Sequence, residues 1–293
     1  MPNCPYCGAA VEQQPGEVVL TCPYCGTAFA VGGGEVGRHL MGRVNFTIQQ
    51  VLEAFKSWAL RMPETPNDFL GAAHLRDYQL VFYPFWIYEV VGRVRAGGGV
   101  MEEAVEVSLP AHRSMTGTPL ENLLMSPVGK VYYSHRHVVE TGGRLLNPDV
   151  GPEEADRLAL SLGRKAVMDS LRRRLGSRPR VESLDLRIAS RALVHAPVYV
   201  CTYSYRDRSY RFMADASDSS VLYAEVPIEL RFRAVTLAAG SLSLLAALAT
   251  LAAVDRAPAF SLVSATGFLI VGLIAVYKGL RLRVTVRRYP AGW

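Results

Sequence analysis

Leu80-Val81-Phe82-Tyr83-Pro84-Phe85-Trp86-Ile87-Tyr88-Glu89-Val90-Val91-Gly92-Arg93-Val94 decides the fold of this chain. Aromatic and β-branched residues fill it, the composition of a strand. The strand-like run starts at Tyr78, meets the turn Gly97-Gly98-Gly99 and resumes to about Leu109, so a β-hairpin is expected. Upstream, over 47–62, Ile48, Val51, Leu52, Phe55, Trp58 and Ala59 recur at helical spacing, with Glu53, Lys56 and Arg61 elsewhere and Pro63 and Pro66 as the stop. The same order recurs. Residues 152–175 predict a second amphipathic helix, its stripe being Ala155, Leu158, Ala159, Leu162, Ala166, Val167, Leu171 and Leu175. A strand over 184–193 follows, then two alternating strands within 196–213, a turn at 215–219 and a strand over 221–226. Helices packed on antiparallel sheet, an α+β domain over 44–230, are therefore expected. Helix followed by aromatic hairpin, twice, divides it into halves 44–150 and 151–230 and suggests duplication, although the halves share too little sequence to establish a repeat.

Working outward, the N-terminal end carries one pentapeptide twice, Cys4-Pro5-Tyr6-Cys7-Gly8 and Cys22-Pro23-Tyr24-Cys25-Gly26. Each copy can form a knuckle: proline fixes the approach, backbone N–H groups face the sulfurs, and glycine takes the left-handed conformation on leaving. Cys4, Cys7, Cys22 and Cys25 would then hold one tetrahedral Zn2+ in a ribbon over 1–30. With every position filled by sulfur no site remains for water, and about thirty residues bury too little apolar surface to fold alone, so the zinc is structural. Two disulfides, or iron in place of zinc, are the alternatives. Residues 31–43, beginning Val31-Gly32-Gly33-Gly34-Glu35-Val36-Gly37, read as a flexible linker.

At the other end, 234–254 and 257–277 contain no charged residue and are separated by Asp255 and Arg256. Each run is about twenty residues, roughly 30 Å as a helix, enough to cross a bilayer. Ala238, Ala239, Gly240, Ala246, Ala247 and Ala249 on one run, and Ser264, Ala265, Gly267 and Gly272 on the other, suit close helix packing. A transmembrane hairpin over 231–279 follows, joined by the turn Asp255-Arg256-Ala257-Pro258. Arg231 and Arg233 precede it and Lys278, Arg281, Arg283, Arg287 and Arg288 follow it, which places both termini in the cytoplasm of a two-span cell-membrane protein. Free thiolates agree with a reducing compartment, and with the chain opening on the knuckle no signal peptide is expected. Lipid headgroups account for the net charge of +6, which makes charge a weak pointer to nucleic acid. In the basic tail, 280–293, Leu280, Leu282, Val284 and Val286 alternate with Arg281, Arg283, Thr285 and Arg287. That period of two predicts a strand paired with the domain's sheet.

Catalytic motifs are few. Among metal and nucleophile signatures, His-Glu-x-x-His and Gly-x-Ser-x-Gly do not occur, and no glycine-rich loop joins a strand to a helix start. His135 and His137 would share one face of a strand, with Glu140 or Glu102 and Glu103 to complete a metal site, but an exposed edge-strand pair is the plainer reading. Cys201 lies on an alternating strand and reads as a small core residue. Asp169, Arg172, Arg173 and Arg174, near Arg178 and Arg180, make a basic helix end suited to an anionic surface, lipid or nucleic acid.

The tryptophan-bearing helix, Tyr83-Pro84-Phe85-Trp86, Pro197-Val198-Tyr199, Tyr203-Ser204-Tyr205 and Tyr210-Arg211-Phe212, behind a Cys4-Pro5-Tyr6-Cys7 ribbon and ahead of apolar spans, resemble a group of prokaryotic zinc-ribbon membrane proteins of largely unknown function. The likeness covers nearly the whole chain. In that group the aromatic strands close on Asn-Gly-x-Thr-Gly, where this chain has Asp215-Ala216-Ser217-Asp218-Ser219. A non-enzymatic, membrane-anchored adaptor that binds a protein partner is the expected function, with no small-molecule substrate. Membrane-tethered nucleic-acid binding is the alternative, although residues 1–30 carry Glu12 and Glu17 and neither Lys nor Arg. A metal-dependent enzyme using His135 and His137 is the third reading.

Overall fold

The structure is a computed structural model that describes residues 1–32, 36–96, 99–121, 129–175, 181–252 and 258–287. In chain order its elements are β1 (Val19–Thr21), β2 (Ala28–Ala30), β3 (Arg38–Gly42), α1 (Ile48–Ala59), α2 (Phe69–Ala72), β4 (Ala73–Ala96), β5 (Gly99–Pro110), β6 (Lys130–Tyr132), α3 (His135–Glu140), β7 (Arg144–Leu145), α4 (Pro152–Leu175), β8 (Val181–Tyr205), β9 (Arg208–Asp215), β10 (Val221–Pro227), α5 (Leu230–Leu251), α6 (Pro258–Leu280) and β11 (Arg283–Arg287). The chain is α+β. A Cys-rich ribbon, a large sheet and two C-terminal apolar helices follow one another.

The stretch from Leu80 to Val94 lies inside a 24-residue strand, β4, which runs antiparallel to the 25-residue β8 from Ala73↔Tyr205 to Ala96↔Val181. This pair is the spine of a nine-stranded sheet. β5 flanks β4 from Phe85 onward and β7 touches it at Val81 and Phe82. Along β8, the parallel β3 pairs with Ala192–His195 and β9 takes over at Val198, continued outward by β10 and β11.

The sequence predicts one strand ending at Leu193 and another beginning at Ala196, next to Pro197, whereas β8 is continuous. Proline breaks a strand only where a neighbour needs its N–H. Pro197 sits where β8 exchanges β3 for β9, and Pro84 where β4 exchanges β7 for β5. Neither position has a partner strand on its outer side, and each carbonyl is taken by a loop N–H, Ala111 to Pro84 at 3.0 Å and Ala216 to Pro197 at 2.8 Å.

Alternation along the spine builds two layers of core. Leu80, Phe82, Trp86, Tyr88 and Val90 share the face that α1 and α4 cover, and Phe85 and Ile87 face Met115, Leu120 and Val198 on the other. Helix α1 starts at a capping box, Thr47 with Gln50, and buries Ile48, Val51, Phe55 and Ala59; Phe55 stacks on Phe212 at 4.1 Å between ring centres. On α4 the buried stripe is Ala155, Ala159, Gly163, Val167 and Leu171, while Leu158 and Leu162, expected inside, are exposed. The line of closest approach runs through Gly163, where a Cβ would stand 2.7 Å from Val90 Cγ1, and Leu158 and Leu162 lie beside that line, not on it.

Helices α5 and α6 pack on one another through small residues, Gly272 against Leu244 and Gly240 against Val276. Their outer leucines and valines, among them Leu242, Leu245, Val263 and Leu273, are exposed. The expected tail strand is present as β11, paired antiparallel with β10 from Tyr223↔Arg287 to Pro227↔Arg283. Glu225 fastens it. This buried carboxylate receives Arg283 Nη1 at 3.0 Å, Tyr223 Oη at 3.0 Å and the N–H of Arg211 at 3.1 Å. The turns at Gly97-Gly98 and Asp255-Arg256-Ala257, with Arg178, Arg180 and Arg288, lie outside the described residues.

Candidate metal centre

The two pentapeptides fold alike because the same backbone groups close each turn. Gly8 N donates to Cys4 O and Gly26 N to Cys22 O, both at 2.9 Å, and the glycines take φ of +75° and +73°. Cys4 N donates to Ala9 O and Cys22 N to Thr27 O. The four sulfurs converge within 4.8 Å of one another, with Cys4 to Cys25 and Cys7 to Cys22 at 3.6 Å. A tetrahedron with metal–sulfur bonds of about 2.3 Å has edges of about 3.8 Å, so the set fits a divalent ion. It does not fit disulfides, whose sulfurs lie about 2.05 Å apart; all four cysteines are free thiols, Cys4 and Cys22 buried, Cys7 and Cys25 exposed.

Ionisation is uneven across the set. Burial opposes a thiolate at Cys25, but the hydroxyl and N–H of Thr27 and the sulfurs of Cys22 and Cys4 outweigh it and bring the group to about 6. At Cys7 the Ala9 N–H favours the thiolate, yet burial and the neighbouring sulfurs push it up to about 12. A bound cation is what lets four such sulfurs ionise together.

The ribbon is not held by a tether alone. Arg38–Gly42, inside the stretch read as a linker, is β3 of the main sheet, and Val36 is buried beside it. Val19 of β1 enters the same core as Trp86 and Leu193. Val18 and Val19 N–H groups point to Pro148 O, and Asn147 Nδ2 donates to Glu17 Oε1 at 3.0 Å.

From the second knuckle a chain of contacts enters the sheet. His39 Nδ1 lies 2.8 Å from Gly26 O, its Nε2 3.0 Å from His195 Nδ1, and His195 Nε2 3.3 Å from Leu146 O. Tyr133 stacks on His39 with ring centres 4.2 Å apart. Carbonyls only accept, so three contacts call for three protons and a neutral pair of imidazoles carries two. Two of the three contacts can therefore be hydrogen bonds at once, and the shortest, from His39 Nδ1–H to Gly26 O, is one of them. Burial pushes His39 down to about 4 against the pull of the Gly26 carbonyl, and holds His195 well below the ordinary histidine value, with help from His39. Sequence reading missed this network; the two histidines are 156 residues apart and only the parallel pairing of β3 with β8 unites them.

The other candidate residues do not converge. His135 and His137 lie on helix α3, not on a strand, because Ser134 caps a turn there by accepting from His137 N–H. His135 Nδ1 meets Tyr133 Oη at 3.1 Å, and His137 Nε2 accepts from Val44 N–H at 3.3 Å. Glu140 pairs with Arg136, and Glu103 with Ser170 and Arg174. At the end of α4, Arg172 pairs with Asp169. Cys201 is buried in the core, its thiol pushed up to about 12 by burial. Comparison with known proteins finds no matching family model, curated protein or solved structure.

Proposed function

We propose that this chain is a membrane-anchored zinc-ribbon adaptor, whose ribbon and α+β body face the cytoplasm and bind a protein partner at the cell membrane. The observation that carries the partner reading is the pair of knuckle tyrosines. Tyr6 and Tyr24 hold the same place in the two turns, and both are exposed, at 80% and 77%, beside a rigidly closed cluster. A phenol ring offers large contact area, few rotors to freeze and one polar tip, which suits a protein interface. Cys4, Cys7, Cys22 and Cys25 would hold one zinc ion, which supplies a cross-link between the knuckles when bound. Four protein ligands complete that tetrahedron, so a structural and not a catalytic role fits it.

Two helices, Leu230–Leu251 and Phe260–Leu280, are long and apolar enough to cross a membrane, and burial covers only 11% and 17% of their most apolar windows. Side chains so apolar and so uncovered support insertion in lipid. Arg231, Arg233, Lys278, Arg281 and Arg283 gather at the body's end of the hairpin, which supports a cytoplasmic body. Nucleic-acid binding is less well supported. The ribbon lacks Lys and Arg, and of the three arginines ending α4, Arg172 and Arg174 are engaged by carboxylates.

The test is purification of the full-length protein from native membranes in mild detergent, with metal, protein and nucleic acid quantified together. One zinc per chain and a stoichiometric protein, released by Tyr6→Ala/Tyr24→Ala while zinc remains, is the expected result. Nuclease-sensitive nucleic acid without a protein partner would overturn the adaptor reading.

A further inference from the structure

Where the body meets the hairpin lies an open cavity of about 620 Å³ lined by arginines and by apolar groups. Arg206, Arg208, Arg231 and Arg233 line it against only two carboxylates, Asp68 and Glu229. Asp68 is already engaged, accepting from Tyr205 Oη at 2.6 Å and from Arg206 Nη2 at 3.1 Å. Arg233 donates through Nε to Gly279 O at 3.0 Å, leaving its terminal nitrogens for other acceptors. Arg208 lies beside the Tyr210 hydroxyl, and the Arg231 side chain has no hydrogen bond or ion pair among the described residues. Positive charge in the first turn of α5 is itself unfavourable, since helix N-termini prefer anions; that turn holds no acidic residue and Glu229 makes no side-chain cap.

We propose that this cavity binds a phosphate group, supplied by the headgroup of an anionic phospholipid. Guanidinium forks match phosphate oxygens. The cavity lies where α5 begins and the chain leaves α6, the level of the headgroups if the hairpin spans a bilayer, so the lipid source rests on the membrane reading above. Leu230 and Leu282, exposed at its wall, would then meet the start of the acyl chains.

Full-length protein in detergent, offered equal amounts of phosphatidylglycerol and phosphatidylcholine with the same acyl chains, tests this by native mass spectrometry, with a parallel titration by inorganic phosphate. We expect a preference for phosphatidylglycerol of roughly tenfold or more, as two cavity arginines at the membrane surface would give. Arg208→Gln/Arg231→Gln should abolish it, while Arg172→Gln/Arg281→Gln, equal in charge but outside the cavity, should keep it. Inorganic phosphate bound in the same variant-sensitive way, without lipid preference, would retain the anion site and overturn its lipid source. No lipid preference together with no variant-sensitive binding of inorganic phosphate, or equal loss in both double variants, would overturn the site. Recovery of the protein in water after detergent removal would sink the anchoring reading separately, leaving the phosphate titration to decide the cavity.

Discussion

The ribbon and the tail strand are fastened to the same sheet by opposite means. Beside the middle of β8, the ribbon is held by neutral groups, the Gly26 carbonyl against His39 and His39 against His195. At the outer edge, β11 is held by charge, with Glu225 buried and Arg211 and Arg283 reaching it from solvent. The difference follows from access to water. A contact enclosed on all sides carries least penalty when neutral, whereas at an edge one ion can stay buried because its counter-ions keep their hydration. One attachment is therefore vulnerable to added protons and the other to loss of a single carboxylate.

Removing the metal should separate the two ends most sharply. Cys22→Ser, or chelation, is expected to remove the bound metal and amide protection across 1–30, a loss on the order of 10 kcal/mol of local folding energy, while β11 stays protected; hydrogen exchange reads both. Glu225→Ala should do the reverse. It removes the acceptor of three contacts, leaving the Arg211 N–H and Tyr223 Oη without it while the arginine heads turn to solvent, so about 2 kcal/mol is expected, below the usual figure for breaking a buried pair. Faster exchange in β11 with metal content unchanged is the check.

Acid should loosen the ribbon's attachment. An unfolded histidine titrates near 6.5 and folded His39 near 4, so between these values the unfolded chain binds more protons and stability falls as pH falls. From pH 7 to pH 5 the loss is about 2 kcal/mol by that linkage. Denaturant unfolding of wild type and His39→Gln/His195→Gln, with metal counted on each sample, should show the steeper pH slope in wild type. The smallest effect belongs to Asn147→Ala, which removes the contact to Glu17 and should cost about 1 kcal/mol, seen as slightly faster exchange in β1.

Legibility of these features in the sequence depended on whether the signal was local. The knuckles were readable because four ligands come from two short repeats, and the tail strand because Leu282 to Val286 alternates without interruption. Helix α1 declared itself by period. Strand β3 did not: five residues, Arg-His-Leu-Met-Gly, behind a glycine run give no period to count. Pro197 looked like a break because the exchange of neighbours that excuses it is a property of the assembled sheet. His39 and His195 are each unremarkable alone, and the register of two strands makes them a pair. Glu225, a lone acid in an otherwise apolar strand, was the one overlooked signal that stood in plain view.

Strands β10 and β11 are neighbours whose last register pair is Pro227↔Arg283, so residues 228–282 are topologically the loop of a β-hairpin. Seen this way, the two apolar helices are an insert in an otherwise ordinary connection, and the body's core residues all lie outside it. Excising the insert and closing the strands with a two-residue Asn-Gly turn would join ends already spaced for it. The sheet thus carries its own splice point, at which a chain with the two apolar helices and one without them differ by a single loop.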